Sequence, residues 1–296
     1  MAFNQVTIIG VGLIGGSFAL ALRRAGFDGI ITGWGGQRSL SIALDRGIID
    51  SVEESFNSGE ICRSDLIYLA CPINSIISFI ETYNKQLKPG ALLTDAGSTK
   101  QKICESARLH LPRSIEFIGG HPMAGSEKTG AENASADLFD GAAYIITPDE
   151  FSHPEPVAQL EVLIKELGAR PITVSALHHD RAVALVSHLP QLLSTALAAA
   201  ILKRGEADRL LLLSGRGFQD MTRLAASDWS IWGDIISTNR ENILESISQM
   251  IGSLEEVKAA LEHCDYESLK LLFKTANQAE KQCRAVKTML ESSTED

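Results

Sequence analysis

A histidine with acidic and basic side chains close by stands in a glycine-rich stretch of the chain. His121 lies within residues 119–130, together with Glu127 and Lys128, and the stretch follows the apolar run 115–118. An apolar run of that length predicts a short strand, and a histidine just beyond a strand end can act as a general acid or base. The same pattern is also typical of an ordinary surface turn. The function of His121 therefore depends on what the rest of the chain places beside it.

The first glycine-rich turn of the chain has the spacing of a dinucleotide-binding site. A β-branched run over 6–9 leads straight into it, and a helical pattern follows over 17–24. In Gly-x-Gly-x-x-Gly, the first glycine permits a tight turn, the second lets the backbone reach a pyrophosphate, and the third lets the helix pack on the strand. Amides at the helix N-terminus favour the negative phosphates. A strand-to-helix corner without a ligand is the alternative. The cofactor contacts predicted here are Gly10, Gly12, Leu13, Ile14 and Gly15.

The residues after the second predicted strand, 30–32, indicate which nicotinamide cofactor would fit. A carboxylate often stands there to bind the ribose 2′-hydroxyl, but this chain has Gly35 at that position. Arg38, flanked by Gln37 and Ser39, offers donors that suit a 2′-phosphate. NADP is therefore favoured over NAD. An Arg38 that only faces solvent would leave NAD possible.

Strand and helix patterns alternate as far as residue 174. The predicted strands are 66–70, 91–95, 115–118, 143–148 and 170–174, and the predicted helices are 73–83, 101–109 and 157–167. This alternation predicts a parallel, doubly wound sheet of the Rossmann type, which binds ligands at the C-terminal ends of its strands. The residues predicted to share that edge are Cys71, Pro72, Gly97, Ser98 and His121.

Two of these edge residues also have a plainer interpretation. Ser98 precedes a predicted helix and could be its N-cap. Cys71 is expected to be a packed small side chain rather than a nucleophile, because no histidine neighbours it in the sequence.

From residue 176 to 289 the sequence has long helical patterns and no convincing strand. Apolar residues recur at helical spacing at Ile243, Ile247, Met250, Ile251, Leu254 and Leu261, and again at Leu269, Leu272, Phe273, Ala276, Cys283 and Val286. We therefore predict an α/β protein in which a Rossmann-type dinucleotide-binding domain, 1–174, precedes an all-α domain, 175–296. So many apolar helix faces predict a homodimer joined through the helical domain.

Composition limits the possible functions. Hydrophobic residues make up 45% and charged residues 22% of the 296 residues, which is typical of a folded globular protein. The net charge of -10 and a pI near 5.2 argue against a nucleic acid or an anionic membrane as partner. Five scattered cysteines predict neither a disulfide framework nor a metal site. We find no targeting segment and no apolar run long enough to span a membrane, so the predicted location is the cytoplasm.

Two stretches of the helical half could contact a substrate. His188 and Gln191 are three residues apart, hence on one helix face, and Pro190 should kink that helix. Asp220 and Arg223 are also three residues apart. A histidine among apolar helical residues is more often a core residue, and an arginine is ordinarily a surface cation. These two patterns alone leave the function open.

Five motifs, in this order, resemble those of the prephenate/arogenate dehydrogenase family of tyrosine biosynthesis. They are the glycine turn 10–15, Asp-x-Gly-Ser-x-Lys at 95–100, the His121 stretch, Ser-His-Leu-Pro at 187–190, and residues 217–223. One such match would be weak, whereas five in order are specific. The resemblance implies oxidative decarboxylation of prephenate or arogenate, with hydride transfer to NAD(P)+.

The resemblance also implies roles for individual residues. His121 would accept the proton of the substrate's ring hydroxyl, Ser98 would hold that hydroxyl, and Arg223 would bind the ring carboxylate. The further substrate contacts are His188, Gln191, Glu127, Asp220 and Trp232. No metal ion is expected. Gln191 stands where many family members have a second histidine, which leaves the choice between prephenate and arogenate open.

Two other classes of protein combine a Rossmann domain with helices. A β-hydroxyacid dehydrogenase or an imine reductase would use a lysine or aspartate from the helical domain and would lack the His121 stretch. A nonenzymatic NADP-binding sensor would bind the cofactor without turning over a substrate.

Overall fold

The computed structural model describes residues 3–53, 63–125 and 128–292, with side chains as far as residue 286. The chain divides into two compact units, residues 1–240 and 241–296. The first unit contains the whole sheet and the helices that follow it, and the second contains long helices. The boundary at residue 174 remains a prediction.

Eight strands within the described residues form one sheet in the order β3-β2-β1-β4-β5-β6-β7-β8. They are β1 Gln5–Ile9, β2 Ile30–Trp34, β3 Ser51–Val52, β4 Leu66–Leu69, β5 Leu92–Asp95, β6 Glu116–Pro122, β7 Ala143–Thr147 and β8 Arg170–Thr173. Because the strand order reverses beside β1, the sheet is doubly wound, and the prediction of a Rossmann-type fold is confirmed. One pair departs from the predicted parallel arrangement, since β6 and β7 run antiparallel.

Helices cover the sheet and make up the C-terminal half of the chain. They are α1 Leu13–Arg24, α2 Gln37–Asp45, α3 Ile73–Tyr83, α4 Gln101–His110, α5 Pro154–Glu166, α6 Ala176–Val183, α7 Leu189–Leu202, α8 Ala207–Leu212, α9 Arg216–Thr222, α10 Trp229–Thr238, α11 Arg240–Glu262 and α12 Tyr266–Ser292. Between residues 176 and 292 the structure contains helices and turns without a strand. The all-α character of this half is confirmed.

Two apolar layers hold the sheet, one on each face. Successive strand residues point to opposite faces, so Ile8 and Tyr68 belong to one buried cluster and Ile67 and Leu69 to the other. Phe18 of α1 stacks on Tyr68 with ring centroids 3.8 Å apart. The central strands are therefore packed on both faces and cannot slide past one another. Because they run parallel, their C-terminal ends lie along one edge of the sheet.

Strand β6 is longer than the sequence pattern predicted. The predicted strand ended at residue 118, whereas β6 continues through Pro122 and includes His121. The extension is stabilised by antiparallel pairing with β7, in which His121 lies opposite Ile145. Gly120 is required for close packing, because a Cβ there would lie 2.5 Å from the carbonyl oxygen of Asp95. His121 therefore lies on a strand and not in a loop.

The helix around Pro190 is widened. A π-helical turn, Ala184–His188, joins α6 to α7 just before the proline. Proline has no N–H and crowds the carbonyl four residues earlier, and a π turn accommodates both effects. The expected disturbance at Pro190 is therefore this turn, which contains His188.

The continuous helical segment 176–202 also corrects an expectation from composition. It is long and apolar enough to span a membrane, with 22% of its most apolar window buried, so the prediction that no apolar run reaches that length is wrong. Length and composition are weak evidence for a membrane span, because a core helix of a soluble protein passes the same test.

Candidate active site

The glycine turn after β1 fits the phosphates of a dinucleotide. Gly10 has φ +94°, and a Cβ there would lie 2.6 Å from the carbonyl oxygen of Ala70. Gly12 is the N-cap of α1. A Cβ added there would meet no heavy atom within 4 Å, so the space beside it is open. No side chain caps α1 and no acidic residue stands in its first turn. The amides at Leu13 and Ile14 can therefore face an anion.

Four further predicted residues, Gly35, Cys71, Pro72 and Gly97, lie beside this turn or at the ends of β4 and β5. A Cβ on Gly35 would lie 3.7 Å from the Cα of Gly10, and a Cβ on Gly10 would lie 2.9 Å from the amide nitrogen of Cys71. Burial raises the pKa of the Cys71 thiol to about 12, so the thiol stays protonated and is not a nucleophile. The Gly97 amide donates to Asp95 Oδ2 at 2.8 Å. Pro72 is the N-cap of α3.

The first turn of α2 presents the residues predicted to choose the cofactor. Gln37 and Arg38 are exposed and Ser39 is partly buried. No carboxylate occurs in the sequence between residues 29 and 44. Arg38 therefore stands just beyond the end of β2 with no acidic residue close to it in the sequence.

A buried ion pair fixes the strand end that carries His121. Lys100 and Asp95 are both fully buried and paired, and Lys100 Nζ also donates to the Gly120 carbonyl at 2.6 Å. Asp95 Oδ1 accepts from the Gly120 amide at 3.0 Å. The residue before His121 is therefore held at both its N–H and its C=O.

A chain of polar contacts leads from His121 into the helical half. His121 Nδ1 lies 2.8 Å from His179 Nε2, and His179 Nδ1 lies 2.8 Å from Asp180 Oδ1. The Asp180 carboxylate also accepts from the amides of Lys100, at 2.7 Å, and Gln101, at 2.9 Å. Asp180 thus caps the N-terminus of α4. Ser98, which could have been that cap, makes no side-chain cap.

The surroundings of His121 keep its ring uncharged. Burial lowers its pKa well below 6.5, and the neighbouring basic side chains of His179, Lys100 and His188 lower it further. Among the described residues, no side chain or backbone group bonds to His121 Nε2. A neutral ring with an open nitrogen can act as a base near neutral pH.

His188 lies in the same cluster as a second neutral histidine. Asn239 Nδ2 lies 3.2 Å from His188 Nδ1 and donates to the Asp180 carbonyl at 2.8 Å. Burial lowers the His188 pKa to about 4, although the Asp180 charge raises it. The Trp232 ring packs edge-on against the His188 ring, with centroids 5.8 Å apart. With Nδ1 as an acceptor, His188 Nε2 carries the proton and can donate it.

Both polar atoms of the Gln191 side chain form hydrogen bonds within the protein. It is buried, its Nε2 donates to the Leu224 carbonyl at 2.7 Å, and its Oε1 accepts from the Ser227 hydroxyl at 3.3 Å. These bonds attach α7 to the short 3₁₀ helix Arg223–Ala226. Gln191 therefore positions the segment that carries Arg223, and its contact with a substrate remains a prediction.

The remaining predicted residues are less constrained. Arg223 is exposed, and in the described chain neither an ion pair nor a hydrogen bond joins it to Asp220, which is also exposed. Ser98 is partly exposed in the turn before α4, and its hydroxyl has no partner among the described residues. Glu127 lies outside the described residues.

Sequence reasoning missed His179, Asp180 and Asn239, and it used Asp95 and Lys100 only as motif positions. A signal existed for Asp180: it shares a helix face with Ala184, His188 and Gln191, and all four are buried. A buried carboxylate requires partners, but those partners lie in α4, distant in the sequence.

Fold and site together define a class of protein. A Rossmann-type sheet with a turn that fits phosphates, and an uncharged histidine at the same sheet edge, is the arrangement of a nucleotide-dependent dehydrogenase.

Comparison with known proteins identifies the family. The model described as prephenate dehydrogenase, nucleotide-binding domain, matches residues 18–173, and the one described as prephenate dehydrogenase, dimerization domain, matches residues 175–275. A prephenate dehydrogenase of Bacillus subtilis is 34% identical over 92% of this chain and 74% of its own length. The chain belongs to the prephenate dehydrogenase family.

Solved structures agree with this assignment. A prephenate dehydrogenase from Aquifex aeolicus, in complex with hydroxyphenyl propionate and NAD+, is 32% identical with a TM-score of 0.90, covering 95% of this chain and 99% of that one. An arogenate dehydrogenase from Synechocystis is 29% identical with a TM-score of 0.83, covering 94% and 99%. By contrast, a 3-hydroxyisobutyrate dehydrogenase of Mycobacterium tuberculosis is 14% identical with a TM-score of 0.50, which shows the fold alone. The β-hydroxyacid dehydrogenase alternative is not favoured.

Proposed function

We propose that this protein is an enzyme of tyrosine biosynthesis that oxidatively decarboxylates prephenate, arogenate or both, with a nicotinamide nucleotide as cofactor. The observation that carries the proposal is the neutral His121, with its open Nε2, at the sheet edge that also holds the glycine turn. The activities in the names of its relatives, and the NAD+ bound to the Aquifex aeolicus enzyme, support the same reaction.

Each site residue has a distinct task in this reaction. A bound nicotinamide nucleotide supplies the acceptor for the substrate's hydride. His121 Nε2 accepts the proton of the ring hydroxyl, and Ser98 holds that hydroxyl in place. Arg223 binds the ring carboxylate that leaves as carbon dioxide, since a guanidinium suits a carboxylate. His188, as a neutral N–H donor, binds a polar group of the substrate. Loss of carbon dioxide makes the ring aromatic, so these residues mainly orient and polarise.

The proposal is tested by following the absorbance of the reduced nicotinamide. Prephenate, arogenate and a 3-hydroxyacid are each supplied with NAD+ and with NADP+. We expect turnover of at least one cyclohexadienyl substrate and none of the 3-hydroxyacid. Tight cofactor binding without any turnover would favour the nonenzymatic sensor instead.

Arg38 supports a preference for NADP over NAD. It is exposed in the first turn of α2, where no carboxylate repels a 2′-phosphate. A charge-assisted hydrogen bond contributes roughly 1.5–3 kcal/mol, which corresponds to about tenfold to a hundredfold in affinity. We therefore expect kcat/KM to be higher with NADP+, and Arg38→Ala to remove most of the difference.

A second variant tests the same preference in the opposite direction. Gly35 has φ +153°, so a side chain there would be strained, whereas Gly36 has φ -70° and open space at its Cβ position. Gly36→Asp places a carboxylate at the α2 N-cap and should reverse the preference towards NAD+. The measurement is kcat/KM with each cofactor. A preference for NAD+ that persists in Arg38→Ala would refute the role of Arg38.

The helical half, 175–296, is proposed to form the substrate-binding and dimerisation domain, beside a nucleotide-binding domain of 1–174. The ranges of the two family models support this division, and the description of the second model supports a homodimer. We place the enzyme in the cytoplasm, with neither nucleic acid nor membrane as partner, because its net charge is -10 and its cysteines are scattered.

A further inference from the structure

Asp180 is an anionic acceptor buried behind the proposed base. Its carboxylate is fully buried and accepts hydrogen bonds from two amides at the N-terminus of α4. Two amide donors and a helix N-terminus both favour the ionised form of a carboxyl group. An ionised carboxylate can only accept hydrogen bonds.

This acceptor determines where the protons of both histidines lie. His179 Nδ1, 2.8 Å from Asp180 Oδ1, must carry a hydrogen and donate it. In a neutral ring His179 Nε2 is then an acceptor, and it lies 2.8 Å from His121 Nδ1. His121 therefore carries its hydrogen on Nδ1, which leaves the lone pair on Nε2.

We propose that His179 and Asp180 are positioning residues that make His121 Nε2 the base and take up the charge that forms there. The inference rests on the proposed function. When His121 Nε2 receives the hydroxyl proton of the substrate, the Nδ1 proton crosses to His179 Nε2. One proton enters the pair and one moves within it, so the positive charge comes to rest on the ring bonded to Asp180. The reverse transfer returns the proton.

The charges around His121 explain why such a pair is needed. The titratable and charged groups near the ring are His179, His188 and Lys100, and Asp180 beyond His179. The Asp95 carboxylate, which bonds to the Gly120 amide, is already paired with Lys100. A positive charge confined to the partly buried His121 ring would therefore be unfavourable, whereas on His179 it is next to an anion.

The kinetic test separates two roles of His179, which are to orient the His121 ring and to take up its proton. His179→Ala removes both functions, and His179→Gln keeps an oxygen that can accept from His121 Nδ1 but cannot take up a proton. We expect His179→Ala to lower kcat at least about a hundredfold, with KM changed less than about threefold. His179→Gln should be more active than His179→Ala yet remain at least about tenfold below wild type. His178→Ala, which changes the exposed neighbouring histidine, is the matched control and should retain wild-type kcat.

Several results would overturn the relay. These are an unchanged kcat in His179→Ala, a change in KM alone, or a wild-type kcat in His179→Gln. If His179→Ala does not fold, His179→Gln carries the kinetic test. Nitrogen NMR of the histidine rings gives a readout independent of turnover, because the relay requires the Nδ1–H form of His121 in the resting protein. An Nε2–H form would overturn the relay, whereas wild-type protein inactive on both substrates would refute only the proposed function.

Discussion

His188 is kept neutral by burial. It is 2% exposed, and burial lowers its pKa to about 4. His121 is shifted in the same direction for the same main reason. Both rings are therefore uncharged at neutral pH, which the proposed chemistry requires: His121 has to accept a proton and His188 has to donate a hydrogen bond.

These shifts make the stability of the protein depend on pH. Between about pH 6.5 and 4, the unfolded chain binds more protons at residue 188 than the folded protein does. The free energy of unfolding is therefore fully retained above about pH 6.5 and falls as the pH is lowered, by up to about 3 kcal/mol from this residue. Urea unfolding across this range should show a weaker pH dependence in His188→Gln than in wild type.

His178→Gln is the matched control for that measurement, because His178 is exposed. It should retain the pH dependence of the wild type. Equal slopes in His188→Gln and wild type would mean that residue 188 is not held neutral by the fold.

At the level of single residues, the sequence predicts which side chains are candidates, and the structure shows which groups surround them. The sequence predicted His121, Ser98, His188 and Arg223 as candidates from residue type and motif. It could not predict the protonation states, because these depend on Asp180 of α6 and on Asn239, the C-cap of α10, which lie more than 50 residues after His121 in the sequence.

Among the elements, the connection between β5, α4 and β6 depends on one ion pair. Lys100 and Asp95 are fully buried, and removing one member of such a pair leaves an uncompensated charge. Lys100→Met should lower the free energy of unfolding by about 3–5 kcal/mol. It should also reduce kcat, because Lys100 holds the carbonyl of Gly120.

Lys102→Met is the matched control for this prediction. Lys102 lies on the same helix, and its side chain is 58% exposed in a pair with Glu105. Loss of an exposed pair should cost at most about 1 kcal/mol in urea unfolding. A similar loss for both variants would contradict the role given to the buried pair.

The elements that the sequence predicted well are those with a strong local pattern. Helix α3 begins and ends at the residues predicted, because its apolar residues recur at helical spacing between breakers. The end of β6 was not predictable, since two glycines and a proline usually end a strand. Here pairing with β7, and the lack of room for a Cβ beside Asp95, override the local preference.

For the whole molecule, exposed apolar side chains on α11 and α12 indicate a missing partner. Ile251, Leu254 and Leu261 on α11, and Leu271 and Phe273 on α12, are all at least half exposed. A single chain rarely leaves so many apolar side chains in water. The helical spacing of Ile251, Leu254, Leu261 and Phe273 was readable in the sequence, whereas the surface that would cover these side chains was not.

We predict that sedimentation equilibrium will find a homodimer. Phe273→Glu should weaken it, because Phe273 is 77% exposed in the single chain and a twofold interface would bury it twice. At roughly 1.5–3 kcal/mol for each side chain, the dissociation constant should rise by about two to four decades. Leu109→Glu, at an exposed position on α4, is the control and should leave the dimer intact. A monomeric wild-type protein would contradict the prediction.

The central claim of this account is that His121 is the base of a prephenate or arogenate dehydrogenase, and His121→Asn tests it most directly. An asparagine can still donate to His179 Nε2 but has no nitrogen in place of Nε2, so the variant removes the base and keeps its hydrogen bond. The measurement is kcat with the preferred substrate, together with the dissociation constant of the cofactor. We predict a fall in kcat of about 10²- to 10⁴-fold, with cofactor binding unchanged within about twofold. A kcat close to that of wild type would contradict the claim.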